Sequence, residues 1–324
     1  MLQNLKFYID GHWVDPVTPN IFDVINPATE EAFAQISMGT KADVDKAVAA
    51  AKAAFPSYSR WSIDERIALL ERILEVYETR FDDVANVISL EMGAPITLAQ
   101  GSQAAVGRSH FQSTLKALKE FNFDKNQDGV VLRHEPIGVC GLITPWNWPM
   151  NQVAIKVAPA LATGCTMVLK PSEIAPLDAM ILAEVLHEAG VPAGVFNLIN
   201  GNGPDVGEAM SAHSDIHMMS FTGSTRGGVA VAKTSADTVK RVSQELGGKS
   251  ANIILRDTDV AQAVADGVRF CMNNSGQSCN APTRMLVPNE SMEIAIEAAR
   301  SAAEGLIIGD PSDKNTDLGP VISK

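Results

Sequence analysis

From Gly138 onward, short apolar runs alternate with segments of helical periodicity, and this alternation constrains the fold more than any other feature. The runs at 138–143, 166–169, 195–199, 217–221, 239–244 and 251–255 read as strands; 152–162, 176–189 and 205–211 fit helices between them. Gly190 stands where a helix-terminating glycine belongs, with Pro192 just beyond. Strands alternating with helices argue for βαβ units and an α/β fold built on a Rossmann-like parallel sheet. In such sheets ligands bind at the carboxyl ends of the strands, so the residues following each strand are the ones to inspect.

The first 137 residues have a different character. Residues 5–27 read as short strands with an Asp10-Gly11 hairpin turn. Residues 41–55 form a helix with Val44, Val48, Ala51 and Phe55 on one face. Ser62-x-x-Glu65 is a capping box opening a helix that is expected to run to about Met92, where Gly93 and Pro95 stop it. Residues 100–119 read as a further helix. The polar stretch 121–136, with an Asp-Gly turn before Val130, Val131 and Leu132, reads as a protruding hairpin.

Charge and cysteine usage narrow the function classes. Among 324 residues, 26 Lys and Arg oppose 38 Asp and Glu, a net charge of −12. So acidic a chain is a poor partner for nucleic acid, which is bound by clustered cations. No run approaches the roughly eighteen apolar residues that span a bilayer, and no apolar core of a secretory signal occurs in the first thirty residues. A cytoplasmic location without membrane attachment is the expectation. The four cysteines form no C-x-x-C pair. Cys140 and Cys165 lie in apolar runs, and Cys271 falls within a helical pattern with Val264 and Val268, so all three read as core. Cys279 follows the polar stretch Asn273-Asn274-Ser275-Gly276-Gln277-Ser278 and has the profile of an accessible, activatable thiol.

Four strand ends carry unusual chemistry: Thr144-Pro145-Trp146-Asn147-Trp148-Pro149, Lys170-Pro171-Ser172-Glu173, Thr222 to Gly228, and Glu245-Leu246-Gly247-Gly248-Lys249. Gly223-x-Thr225-x-x-Gly228 would let a backbone approach a pyrophosphate at a helix N-terminus, although an ordinary strand-to-helix turn explains it about as well. Gly201, Gly203 and Gly207 form a second cluster. Lys170 can donate to ribose or phosphate oxygens, and Glu173 can accept from a ribose 2′-hydroxyl. A carboxylate there repels a 2′-phosphate, favouring NAD over NADP. The competing reading is a surface Lys and Glu flanking a proline turn.

Taken in order, TPWNWP at 144–149, KPSE at 170–173, FTGST at 221–225, QELGGK at 244–249 and SGQSC at 275–279 resemble the hallmark segments of the NAD(P)-dependent aldehyde dehydrogenase superfamily. The resemblance spans the chain from Phe7 to LGPVIS at 318–323; Asn280 to Arg284 departs from the commoner A-G-S-R. It implies that Cys279 attacks an aldehyde, that the Asn147 amide and the Cys279 N–H hold the oxyanion, and that Glu245 activates the hydrolytic water. It further implies that NAD lies against Ile143, Thr144, Pro145, Trp146, Lys170, Ser172, Glu173, Gly203, Gly207, Phe221, Gly223, Ser224, Leu246 and Gly247. The implied organisation is an NAD-binding domain at 1–120 and 137–247, an oligomerisation hairpin at 121–136 serving a homo-oligomer, and an incomplete catalytic domain at 248–324. The family continues beyond the equivalent of Lys324 with an E-x-F-G-P segment that this chain lacks, and only 45 residues follow Cys279. A fragment of a longer enzyme, or a degraded gene product, is therefore the expectation.

Two other classes compete: a non-catalytic NAD-binding fragment, and a cysteine esterase working without NAD. The esterase needs a histidine base, and none of the six histidines sits in a strong motif. His213-x-x-x-His217 has helical metal-ligand spacing but lacks the Glu of H-E-x-x-H, so no metal is expected.

Overall fold

The computed structural model describes residues 1–323. Its centre is a seven-stranded sheet. The strands are β1 (Phe7–Ile9), β2 (His12–Val14), β3 (Val139–Ile143), β4 (Thr166–Lys170), β5 (Phe196–Leu198), β6 (Met218–Gly223) and β7 (Arg241–Leu246), in the spatial order β7-β6-β3-β4-β5-β1-β2. The five strands from β7 to β5 run parallel, and β1 and β2 add an antiparallel edge. All residues of β3 and β4 are buried, as strands covered on both faces must be. Asp10 (φ 52°) and Gly11 (φ 77°) turn β1 into β2, as their dipeptide predicts.

The longer helices are α1 (Lys41–Tyr58), α2 (Ile63–Thr79), α3 (Phe81–Met92), α4 (Ala105–Glu120), α5 (Pro149–Ala162), α6 (Leu177–Glu188), α7 (Thr225–Ala236), α8 (Val260–Met272) and α9 (Met292–Glu304). Glu65 closes the capping box of α2, accepting from the Ser62 N–H at 2.7 Å. Buried apolar faces of α2 to α6 pack into one core with β3 and β4, including Leu70, Tyr77, Ile88 and Phe111. Tyr77 completes its burial by donating its hydroxyl to the Ala104 carbonyl at 2.9 Å. Smaller sheets flank the main one. One has three strands (Leu2–Asn4, Ile21–Asn26, Glu31–Ser37), one is the hairpin Asp124–Gln127 and Val130–Arg133, and one pairs Ala251–Ile253 with Arg284–Leu286.

Three expectations are corrected. The helix expected from Ser62 to Met92 is two helices broken at Arg80, whose backbone leaves the helical region (φ −109°, ψ 8°). The Arg80 guanidinium binds Asp83 at 2.6 Å and Glu184 of α6 at 2.9 Å, fixing α3 against α6 rather than in line with α2. Strand β7 starts two residues later than the apolar run suggests. Val239 is left-handed (φ 54°) and 89% exposed, and the neighbouring Lys240 ammonium binds the Ser211 and His213 carbonyls at 2.7 and 2.6 Å. The helix expected at 100–119 opens with a π-helical turn, Ala99–Ala104.

Candidate active site

The carboxyl ends of β3, β4 and β6 open onto a cavity of about 650 Å³. Of the residues expected to hold the coenzyme, Ile143, Thr144, Pro145, Trp146, Lys170, Ser172, Glu173, Gly203, Gly207, Phe221, Gly223 and Ser224 line it. Leu246 and Gly247 do not. The Leu246 side chain packs toward the apolar cluster containing Phe221 and Val231, and Gly247 follows the end of edge strand β7. Thr222, Pro204, Glu208, Ser211 and Arg226 are among the further residues of the wall, none of them named as a coenzyme contact from sequence. Thr222 and Arg226 were legible as part of the glycine-rich strand end, whereas Glu208 and Ser211 arrive through the short helix Glu208–Ala212.

Lys170 is 4% exposed, and its ammonium donates to the Gly201 and Pro171 carbonyls at 2.5 and 2.9 Å and to Glu173 Oε2 at 3.2 Å. Burial lowers its pKa, and Glu173 opposes that fall. Ser224 caps α7, its hydroxyl accepting from the Gly227 N–H at 3.1 Å, so the positive end of a helix faces the cavity. The hydroxyls of Thr144 and Thr222 are buried in the same wall without a hydrogen-bond partner. Unpaired hydroxyls, a helix N-terminus, an ammonium and a carboxylate together fit a ligand with phosphates and ribose hydroxyls. The pairing of Lys170 with Glu173 replaces the bland reading of two surface charges.

The second half of the site surrounds Cys279, which is exposed while Cys140 and Cys165 are buried. Cys271 is half-buried, not core; α8 buries only Val264 and Gly267. Asn147 and Trp148 reach the cysteine loop from the start of α5. Asn147 Nδ2 donates to the Gln277 carbonyl at 2.9 Å, and Trp148 Nε1 donates to Ser278 Oγ at 2.7 Å. Cys279 and Glu245 line one cavity of about 460 Å³ between α5 and the sheet. Lys156 and Gln152 of α5 share it. The Lys156 ammonium donates to Ser220 Oγ at 2.8 Å, and burial brings its pKa down to about 8 against the pull of Glu245. Neither residue was singled out, because a lysine and a glutamine at helical spacing read as a solvated face. No histidine lines this cavity. A thiol and a carboxylate thus line one cavity, and an amide donor is bonded to the loop carrying the thiol, without the imidazole that a cysteine hydrolase uses.

Residues 13–324 match the sequence model of the aldehyde dehydrogenase family. A 3-succinoylsemialdehyde-pyridine dehydrogenase from a Pseudomonas species is 52% identical over 319 residues, 98% of this chain and 67% of that protein. A putative aldehyde dehydrogenase of Staphylococcus aureus is 44% identical with the same coverage. Among solved structures, an aldehyde dehydrogenase from Bartonella henselae superposes with a TM-score of 0.98 at 55% identity, over 100% of this chain and 69% of that one. A mutant aldehyde dehydrogenase C from Pseudomonas syringae, in complex with NAD+ and octanal, gives 0.98 at 50% identity over 99% and 66%. The chain thus spans about two thirds of the length of these relatives, and with family match, identity and fold in agreement it belongs to the aldehyde dehydrogenase family.

Proposed function

We propose that this chain carries the coenzyme site and the nucleophile of an enzyme that oxidises an aldehyde to a carboxylic acid with NAD. The observation that carries the reading is that Cys279 and Glu245 line one cavity while Asn147 is hydrogen-bonded to the same cysteine loop. The Cys279 sulfur forms a bond to the aldehyde carbon, and the carbonyl electron pair moves to oxygen. The Asn147 amide and the Cys279 N–H hold that oxyanion; losing one such donor costs about 10²–10³ in rate. Bound NAD would supply the hydride acceptor; as the hydride leaves the former aldehyde carbon, the oxyanion electron pair re-forms the carbonyl and Cys279 is left as a thioester. Glu245 takes a proton from water, which adds to the thioester carbon; the carboxylic acid leaves and the Cys279 thiolate is restored.

Lys170 and Glu173 hold the adenosine ribose, Ser224 and the start of α7 face the pyrophosphate, and Thr144 and Thr222 offer unpaired hydroxyls. NAD complexes of relatives from Pseudomonas syringae and Bacillus cereus support the choice of coenzyme. Glu173 disfavours the 2′-phosphate of NADP. We assign residues 1–120 and 137–247 to the coenzyme domain, 121–136 to a hairpin for homo-oligomer pairing, and 248–324 to part of the catalytic domain. Val130, Val131 and Leu132 are exposed on that hairpin, which supports a pairing role. No helix among the described residues is long and apolar enough to cross a membrane.

The test is Cys279→Ser assayed with an aldehyde and NAD. NADH formation should fall by at least about 10³-fold while the NAD dissociation constant stays within about twofold. Persisting NADH formation would remove Cys279 as nucleophile. NAD-independent ester hydrolysis without aldehyde oxidation would favour the esterase reading instead.

A further inference from the structure

The loop that carries Cys279 is held in a conformation it would not keep alone. Asn274 (φ 58°, ψ 35°) and Ser275 (φ 56°, ψ 31°) are consecutive non-glycine residues in the left-handed region. Such residues persist only where surrounding contacts over-determine them. Asn274 is 1% exposed, and its Nδ2 donates to the Asn147 carbonyl at 2.7 Å. The same side chain accepts, at Oδ1, a 3.1 Å bond from the side-chain amide of Gln103, which is itself fully buried.

An asparagine amide can sit either way round. The Asn147 backbone carbonyl, which can only accept, selects one way: Nδ2 toward Asn147 and Oδ1 toward Gln103, whose amide then supplies the donor for that buried Oδ1. The reversed amide would set Oδ1 against the Asn147 carbonyl, two acceptors facing each other. Gln103 gains little else from its burial, since its second contact is Met92 Sδ at 3.2 Å and its Oε1 has no partner. It is delivered by the π-helical turn Ala99–Ala104, a rare irregularity that recurs at functional sites. Two independent irregularities, a π turn on one element and a left-handed pair on another, thus meet at a single buried hydrogen bond.

We propose that Gln103 is a positioning residue whose buried amide supplies the donor for Asn274 Oδ1, anchoring Asn274 and through it the left-handed turn that aims Cys279 toward Asn147. The proposal rests on Cys279 being the nucleophile. Gln103 touches neither substrate nor coenzyme in this scheme. It acts along the chain Gln103 to Asn274 to the Asn147 backbone, while the Asn147 side chain grips the far end of the same loop at Gln277.

Two variants test this. Gln103→Met keeps the length and removes the donor. Gln103→Glu keeps the shape and donates only when its carboxyl is protonated, which burial favours toward low pH. Hydrogen exchange of the backbone amides is measured across pH with kcat and the KM for NAD, and iodoacetamide labelling of each cysteine is mapped by mass spectrometry. In Gln103→Met, amides 275–279 should exchange at least about tenfold faster and kcat should fall about 10²-fold. The KM for NAD should not change, and Cys140 and Cys165 should stay unlabelled. In Gln103→Glu, loop protection should match the wild type wherever the carboxyl is protonated and be fullest at low pH. Three results overturn the proposal: loop exchange at the wild-type rate in Gln103→Met, labelling of Cys140 and Cys165 or loss of NAD binding in both variants, or a Gln103→Glu loop as unprotected as that of Gln103→Met even at the lowest pH. Full activity of Cys279→Ser would instead remove the nucleophile assignment, and the exchange pattern would still decide the role of Gln103 in the loop.

Discussion

Replacing Asp178 with asparagine should remove a loss of stability that the native protein suffers as pH rises from about 5 to about 8. Asp178 and Glu91 are completely buried where α3 meets α6. Glu91 accepts the Leu177 and Asp178 N–H groups at 2.7 and 3.0 Å, capping the first turn of α6. Neither carboxyl oxygen of Asp178 has a hydrogen-bond partner. Burial pushes the Glu91 carboxyl well above its ordinary range, with the Asp178 charge adding to the shift, and burial brings Asp178 up to about 7. A carboxyl whose folded pKa lies above its unfolded value, about 3.9 for Asp, stabilises the fold while both states are protonated. That contribution is lost as pH climbs to the folded value, at about 1.4 kcal/mol per unit. The full interval is worth about 4 kcal/mol, of which about 3 falls between pH 5 and pH 8. His213 and Cys165, both with lowered pKa values (Cys165 to about 6), titrate nearby with the opposite sign. The informative quantity is therefore the difference between native and Asp178→Asn urea unfolding free energies at each pH. The asparagine protein should gain on the native one steadily toward pH 8. Parallel curves would refute the reasoning and show that Asp178 is ionised in the fold at no cost.

Ser224→Ala removes the α7 cap and should cost about 1 kcal/mol in urea unfolding while weakening NAD binding; an unchanged midpoint and affinity would argue against the cap. Glu173→Gln keeps a hydrogen-bonding group beside Lys170 but removes the charge, so the ratio of kcat/KM for NADP to that for NAD should rise about tenfold; an unmoved ratio would clear Glu173 of coenzyme selection. Gly93→Ala should destabilise by about 2 kcal/mol or more. Gly93 ends α3 at φ 78°, and an added Cβ would lie 2.8 Å from Pro320 Cγ and 2.9 Å from Pro27 Cγ. Wild-type thermal stability in that variant would mean the two prolines yield freely.

What was legible in the sequence was chemistry held within a few residues. Asp10-Gly11 announces its turn and Ser62 and Glu65 their capping box, because each partner lies beside the other in the chain. Burial on both faces makes β3 and β4 readable as continuous apolar runs, which in turn locates the loops after them. The break at Arg80 was not readable. Helical periodicity continues through it, and the break shows only in the fold, where the Arg80 guanidinium reaches Glu184 on another helix. The place of Leu246 also depends on the sheet: its neighbour Glu245 faces the Cys279 cavity, and alternation along β7 turns the next side chain to the apolar cluster on the other face.

Gln103 marks the far limit of such reading. Its partner Asn274 lies 171 positions away, and a glutamine amid Ala99, Gln100, Gly101 and Ser102 offers no local contrast. The residues that meet substrate and coenzyme stand at strand ends and in a polar loop, where glycine, proline and charge interrupt an apolar background. A residue that aims one of them has no such constraint on its surroundings. It needs only a donor of one length at one buried point, and that point exists only after α4 and the loop following α8 have packed together. Searching for buried amides with an unsatisfied atom and a single long-range partner on a strained loop is therefore the route to positioning residues of this kind. By that criterion Gln103, with its unpartnered Oε1 and its bond to a left-handed asparagine, stands out among the residues around Cys279.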